Sequence, residues 1–404
     1  MAPISIPPQY QDQLEPIQVI DTRTDSAILH SLTVHAPVTS QKNIWAFWHS
    51  GVLNMPGWCQ RNVVDWVRIC GPKGWTIRVL DNVPASPSYA LKYLPAEMLP
   101  DAFVKGIMDG EYSGPHSADM LRGACLYEHG GVFMDVGSIL FRDMDRICWD
   151  EIADPDSPIH IVVPLMYKQT IANSFVASRK GDPFIKRWHD LFTHLWKSNT
   201  NHKGLVDHPL MAPLLLENNL DESRASNFKW DFKVDFKTIA DYVTQVMAWI
   251  RLTKLEAVDG DDFSDSDYWQ NHVRCFDVLQ ESWGAEATLG FEGFSNRALE
   301  LLSLSRDSGD SGDKDKQRQA EELVWRLLSK SSFQKITHGK GLTHSPALGV
   351  LWELEENEGK DCGAGTFAEL MRYGSVHFRQ KRASIVTMKT EKSVTTMKKG
   401  LLEP

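Results

Sequence analysis

Residues 116–145 constrain the fold of this 404-residue chain more than any other stretch. Their first half predicts a helix, with Ser117 in the N-cap position. Its buried stripe recurs at helical spacing and consists of Leu121, Ala124, Cys125 and Tyr127. Gly130 and Gly131 end the helix, because glycine adopts left-handed backbone angles without steric cost.

The apolar residues 132–134 then predict a short buried strand, which places Asp135 at its carboxyl end. In open α/β sheets, ligands bind at the carboxyl ends of the strands. A carboxylate there can hold a cation that bridges two phosphates, or accept hydrogen bonds from a ribose.

The segment before this stretch predicts a strand–helix–strand unit. Residues 43–49 form a compact apolar run typical of a first buried strand. A helix is predicted from Pro56 to Cys70, and residues 75–80 alternate as a second strand that Asp81 closes. Such a unit begins a nucleotide-binding half-sheet.

After residue 145, residues 159–164 and 173–178 predict two further extended segments, and a helix starts at 181–185 and runs to Trp196. Asn173, at the start of the second segment, fits a residue that satisfies a turn, and this interpretation is as strong as the binding role considered for it below. Weaker patterns predict helices at 210–216, 242–252 and 317–329, and a late strand at 373–378.

The chain therefore divides into four parts. Residues 1–42 form an N-terminal arm, and 43–300 form the main domain with helical insertions. The low-complexity segment 301–318 predicts a flexible loop, and 319–404 complete the same domain with helices, a late strand and a basic tail.

Composition narrows the class of protein. The formal net charge of −10 disfavours binding to nucleic acid, and 42% hydrophobic residues are typical of a globular protein. No apolar run reaches the roughly 18 residues of a membrane span, and the N-terminus has no signal-peptide pattern. The six cysteines show no paired spacing. We expect a cytoplasmic protein with buried thiols.

Two motifs in the central stretch carry a family resemblance. Residues 118–122 read Ala-Asp-Met-Leu-Arg, and residues 130–137 read Gly-Gly-Val-Phe-Met-Asp-Val-Gly. Their order and interval resemble family 32 glycosyltransferases, which include capsular polysaccharide synthesis proteins and the catalytic domains of glucosylating toxins. In that family the second motif ends in Asp-x-Asp, whereas Gly137 replaces the second Asp here.

The resemblance implies an α/β fold, with a GT-A-like, Rossmann-like mixed sheet and helical insertions. It makes 43–300 the catalytic domain, with its helical insertions on the acceptor side. It implies retaining sugar transfer from a nucleotide-sugar donor to an acceptor. Because no anchor or signal pattern is seen, we expect a small-molecule acceptor, such as a secondary metabolite, rather than a secreted glycan. The implied catalytic residues are Asp119, Arg122 and Asp135. Asp135 is also the implied metal ligand, with Mn²⁺ or Mg²⁺ as candidate cofactors, although Gly137 weakens that expectation. The implied donor-binding residues are Trp48, Asp81, Phe133, Asn173 and His377.

Each candidate has a plainer alternative. Asp119 and Arg122 are three residues apart, so they could form only a surface salt bridge. His49 is a second histidine candidate but fits a structural role, and the acidic run 259–267 fits a solvated loop. His377 and the basic tail either close over the donor phosphates or form a solvated end.

Two other functions remain open at this point. One is an aminoacyl or other acyl transferase repurposed from the same fold, and the other is a binding protein without activity. Gly137 motivates the first of these alternatives. Fold alone cannot separate either of them from a sugar transferase.

Overall fold

The computed structural model describes residues 3–166, 170–217, 231–257, 263–307, 313–339, 341–393 and 395–404. The strands are β1 (Leu14–Pro16), β2 (Asn43–Phe47), β3 (Thr76–Leu80), β4 (Gly131–Met134), β5 (Ser138–Leu140), β6 (Ile161–Met166), β7 (Thr170–Ile171), β8 (Phe175–Ser178), β9 (Leu255–Glu256), β10 (Val273–Asp277), β11 (Phe333–Lys335), β12 (Phe378–Gln380), β13 (Thr387–Met388) and β14 (Met397–Lys398). The helices are α1 (Asp25–Ser31), α2 (Gly57–Cys70), α3 (Asp101–Val104), α4 (Ser113–His129), α5 (Asp150–Ile152), α6 (Pro183–Trp196), α7 (Ala212–Glu217), α8 (Phe236–Tyr242), α9 (Thr244–Thr253), α10 (Asp265–His272), α11 (Val278–Glu281), α12 (Gly284–Leu289), α13 (Phe294–Ser303), α14 (Lys314–Lys330), α15 (Leu348–Trp352) and α16 (Phe367–His377).

A mixed sheet forms the centre of the protein, in the order β13-β10-β6-β8-β4-β2-β3, with β7 added beside β6. Strands β3, β2 and β4 run parallel, as do β6 and β10, whereas β8 runs antiparallel between β4 and β6. The carboxyl ends of β2, β3 and β4 therefore meet the start of β8 at one edge. The predicted α/β mixed sheet with helical insertions is confirmed.

Helices cover both faces of this sheet. Along β2, Ile44 and Ala46 pack into one hydrophobic cluster, and Trp45 and Phe47 pack into the other. The first cluster includes residues of α2, α14 and α16, and the second includes residues of α4, α6 and α9. A strand that is buried on both faces is continuously apolar, which explains the unbroken run seen in the sequence.

The two ends of the chain pack onto this core. Strand β1 of the N-terminal arm pairs with β12, and the tail adds β13 to the sheet edge and β14 beside β9. The Arg382 guanidinium is paired with the buried carboxylate of Glu281. The six cysteines form no disulfide, and all but Cys362 are buried, as expected.

Several predicted boundaries are corrected. Helix α4 begins at Ser113, so Ser117 lies inside the helix and its hydroxyl donates to the Ser113 carbonyl at 2.7 Å. Residues 373–377, predicted as strand, form the end of α16, and of the predicted strand 373–378 only Phe378 lies in a strand, β12. Both ends of the predicted loop 301–318 are helical, because α13 ends at Ser303 and α14 begins at Lys314, and residues 308–312 of that loop lie outside the described residues.

None of the helices in the described residues is long and apolar enough to cross a membrane.

Gly131 allows β4 to approach β2 closely. Its φ angle is +101°, and a Cβ atom there would lie 2.4 Å from the Asn43 carbonyl oxygen. Gly181 has a φ angle of +73° but nothing within 4 Å of a Cβ atom. The two positions share a left-handed backbone and differ in crowding.

We therefore expect Gly131→Ala to destabilise the fold by about 3 kcal/mol or more, since backbone strain adds to a clash with β2. The matched control Gly181→Ala carries backbone strain alone and should cost about 1 kcal/mol. Chemical denaturation of both variants checks this, and equal losses would contradict the close approach.

Candidate active site

A buried polar network lies where β4 ends. The Arg122 guanidinium, on α4, is 2% exposed and donates from Nη1 to the Asp119 carboxylate and from Nη2 to Asp135 Oδ1 at 2.9 Å. Nη1 also donates to Gln245 Oε1 at 2.6 Å, on α9. Asn173 Nδ2 donates to Asp119 Oδ1 at 3.1 Å and to Gln245 Oε1 at 2.9 Å.

The structure thus unites Asp119, Arg122, Asp135 and Asn173, four of the residues selected from the sequence. The alternative for Asp119 and Arg122, an exposed salt bridge, does not apply, because their side chains are only 13% and 2% exposed. Asn173 precedes β8 and reaches across to α4 and α9, so it does more than satisfy a turn.

Asp135 is the open point of this network. From Gly131 to Met144 every residue except Asp135 is buried, and the Asp135 side chain is 27% exposed. Its second oxygen, Oδ2, accepts a hydrogen bond from Lys335 Nζ at 2.8 Å. Each carboxylate oxygen of Asp135 therefore faces one protein cation.

The protein holds Asp119 as a charged carboxylate. Burial disfavours ionisation, but the charge of Arg122 and a hydrogen bond from His116 outweigh burial and lower the pKa of Asp119. Burial and the negative charges of Asp119 and Asp135 raise the pKa of Tyr242, so the Tyr242 phenol stays neutral. Asp119 is thus a weak base at neutral pH.

Trp48 and Asp81 lie at the same sheet edge, at the ends of β2 and β3, and no described contact joins them to Arg122. The Trp48 indole Nε1 is buried without a hydrogen-bond partner among the described residues. The Asp81 carboxylate accepts from Val83 N at 3.1 Å and Ser86 Oγ at 2.5 Å, which fixes the loop after β3. His49 is exposed beside them.

Phe133 lies away from solvent, and His377 lies away from the network. Phe133 is fully buried, and the Arg122 guanidinium lies 4.9 Å above its ring, so the ring supports that arginine. His377 stacks on Tyr373 at 3.9 Å, and its carbonyl accepts from Ile17 N at 2.8 Å. These contacts place His377 against the N-terminal arm.

The acidic run 259–267 lies partly outside the described residues. Within them, Asp265 accepts from Arg187 Nε at 2.8 Å, and Asp267 lies 3.6 Å from Lys392. Both carboxylates are thus occupied by protein cations.

The network also contains Gln245 and Lys335, which the sequence analysis missed. Gln245 is a buried polar residue directly before the apolar residues 246–250 of α9, a weak signal that is visible in the sequence. Lys335 lies 200 positions from Asp135 and carries no local signal.

Comparison with known proteins identifies the family of this chain. The sequence profile of the capsular polysaccharide synthesis protein family matches residues 11–208. Over 399 residues, and 99% of each protein, the chain is 50% identical to the probable glycosyltransferase FCK3 of Fusarium pseudograminearum. The chain belongs to this family of glycosyltransferases.

Two further glycosyltransferases are similar to this chain over nearly its whole length. The O-glycosyltransferase braB of Annulohypoxylon truncatum is 37% identical over 97% of this chain and 93% of its own length. The O-glycosyltransferase PaGT of Phomopsis amygdali is 34% identical over 93% of this chain and 91% of its own length. The family and enzyme class predicted from the sequence are confirmed.

The residues at Asp135 do not fit the divalent metal that the family resemblance implies. No group of three or more His, Cys, Asp or Glu side chains in the described residues is arranged to hold a metal ion. An Mg²⁺ ion on Asp135 Oδ2 would lie within about 5 Å of Lys335 Nζ, given a metal–oxygen distance of about 2.1 Å. At an effective dielectric constant of about 20, their repulsion would be about 7 kcal/mol.

Arg122 should be essential for stability. Replacing it with Met leaves the Asp119 carboxylate buried without its cation, so we expect Arg122→Met to cost about 3–5 kcal/mol. The control Lys105→Met removes an exposed pair with Asp101, whose side chains are 60% and 67% exposed, and should cost less than about 1 kcal/mol. Chemical denaturation measures both, and a small loss for Arg122→Met would contradict the network.

Proposed function

We propose that this glycosyltransferase moves a sugar from a nucleotide-sugar donor to a hydroxyl group of a small molecule, such as a secondary metabolite, and retains the anomeric configuration. One observation carries the proposal: Asp135 is the single partly exposed residue from 131 to 144 and is fixed by Arg122 at the sheet's ligand-binding edge.

The fixed carboxylate supports the donor assignment. A nucleotide-sugar presents hydroxyl groups beside its diphosphate, and a carboxylate can accept hydrogen bonds from those hydroxyls. Arg122 is buried, and its Nη atoms donate to protein side chains. Its role in the proposal is therefore to orient Asp119 and Asp135.

The state of Asp119 supports retention. Inverting transfer requires a base that removes the proton from the acceptor hydroxyl. Asp119 has a lowered pKa and accepts from Arg122 and Asn173, so it is poorly suited to that task.

Two observations support a small-molecule acceptor with a hydroxyl group. The relatives braB and PaGT are both named O-glycosyltransferases. An aromatic cluster also contacts Asp119 through His116, whose Nδ1 lies 3.4 Å from Asp119 Oδ2. The His116 ring centroid is 5.4 Å from that of Tyr242 and 4.9 Å from that of His202. Sites for small organic ligands are commonly lined by such rings.

A thermal-shift screen tests the donor class. The purified protein is heated with UDP-, GDP- and TDP-sugars, with the free nucleotides, and with acyl-coenzyme A as a non-sugar control. A ligand that binds the folded state stabilises it by about 2.7 kcal/mol at a hundredfold excess over Kd, and this stabilisation raises the melting temperature. A shift with acyl-coenzyme A alone would reject the proposal, and binding of a nucleotide-sugar that is never turned over would indicate a non-catalytic protein.

Asp135→Asn tests the central residue. This change keeps the size of the side chain but removes the charge, so we expect turnover to fall by about a hundredfold or more. The melting temperature should fall less than in Arg122→Met, because Asp119 still neutralises the Arg122 guanidinium and the amide oxygen can still accept a hydrogen bond. Asp101→Asn, at a 67% exposed side chain, is the matched control. Near-normal turnover of Asp135→Asn would remove Asp135 from the site.

A further inference from the structure

We propose that the Lys335 ammonium is a built-in cation for the donor diphosphate and takes the place of a divalent metal. This inference rests on the proposed function, since it identifies how the same site binds the diphosphate of a nucleotide-sugar. It follows from the position of Lys335 relative to Asp135 and Gly137.

Main-chain pairing fixes Lys335 at this place. Strand β11 pairs with β5 so that Lys335 lies opposite Ser138, the residue after Gly137. The Lys335 N–H donates to the Ser282 carbonyl at 2.9 Å, and the next amide, Ile336 N, donates to the Gly137 carbonyl at 2.8 Å. The lysine backbone is thus bound directly to the loop that ends the Asp135 motif.

The ammonium lies beside the position of the missing second carboxylate. A Cβ atom at Gly137 would be 3.5 Å from Lys335 Nζ and 3.5 Å from the Trp58 ring. Lys335 and Trp58 therefore flank the space that a side chain at position 137 would enter. Glycine at position 137 leaves this space open, and the Lys335 ammonium lies beside it.

The ammonium retains capacity for a ligand. It has three N–H donors, and among the described residues its one hydrogen bond is to Asp135 Oδ2 at 2.8 Å. Its side chain is 11% exposed, next to the open Asp135 carboxylate. Two donors are thus available for phosphate oxygens, and a charged donor beside a leaving diphosphate stabilises the charge that develops there.

The first test uses the unmodified protein. Turnover of the nucleotide-sugar identified by the screen is measured in excess EDTA and over a Mn²⁺ titration, and Mn²⁺ binding is measured by electron paramagnetic resonance. We expect full turnover in EDTA and no stoichiometric Mn²⁺ binding. Loss of turnover in EDTA together with stoichiometric Mn²⁺ binding would overturn the inference, while the proposed function would stand.

The second test replaces the lysine. Lys335→Met should weaken binding of the nucleoside diphosphate by about ten- to a hundredfold, and binding of the corresponding nucleoside much less. Lys335→Arg should restore most of the affinity, because it keeps the charge. The matched control Lys73→Met removes another lysine–aspartate pair, with Asp143 at 2.8 Å, and should leave the affinity unchanged. Equal losses for diphosphate and nucleoside would indicate a structural role and overturn the inference.

The third test rebuilds a metal site. In Gly137→Asp alone, the new carboxylate should pair with Lys335, so we expect no Mn²⁺ binding. The double variant Gly137→Asp with Lys335→Ala removes that cation, and we expect it to bind Mn²⁺ by electron paramagnetic resonance. Mn²⁺ binding by Gly137→Asp alone would show that Lys335 does not exclude the metal.

Discussion

The site depends on the burial of one positive charge. A guanidinium that leaves water loses its hydration, and this loss is tolerated only where anionic and amide acceptors replace the water. For Arg122 these acceptors come from three parts of the chain: Asp119 on α4, Asp135 after β4, and Gln245 on α9. The arginine therefore requires these elements to be in register at once, and it holds the two carboxylates in place.

The sheet gives this arrangement its rigidity. Strand β4 lies between β2 and β8 with helices on both faces, and the residues around Asp135 are buried. The main-chain amide of Asp135 also donates to the Ser174 carbonyl at 2.9 Å, which ties the carboxylate to the start of β8. An exposed side chain on a fixed backbone keeps its geometry, which sugar transfer needs for orientation.

The last third of the chain completes the site. Strand β11 brings Lys335 to Asp135, and the end of the tail holds α9, because Arg251 of that helix pairs with Glu403. The tail, which carries an excess of basic residues, thus has partners in sheets and ion pairs. The tail pairs with β10 and β9, and His377 contacts the N-terminal arm. These positions support a structural role for the tail and for His377.

The sequence by itself determined the elements whose causes are local. Helical spacing in α4, the glycines that end it, and the unbroken apolar runs of β2 and β4 act over a few residues, so they predict Asp119, Arg122 and Asp135 at a sheet edge. Boundaries such as the start of α4 and the last turns of α16 shifted, because packing extends helices beyond their local signals. Only the tertiary structure decided that Gln245 and Lys335 join them, across 123 and 200 positions. Spacing along a chain fixes neighbours within a turn or a strand, whereas contacts between distant residues depend on how whole elements pack.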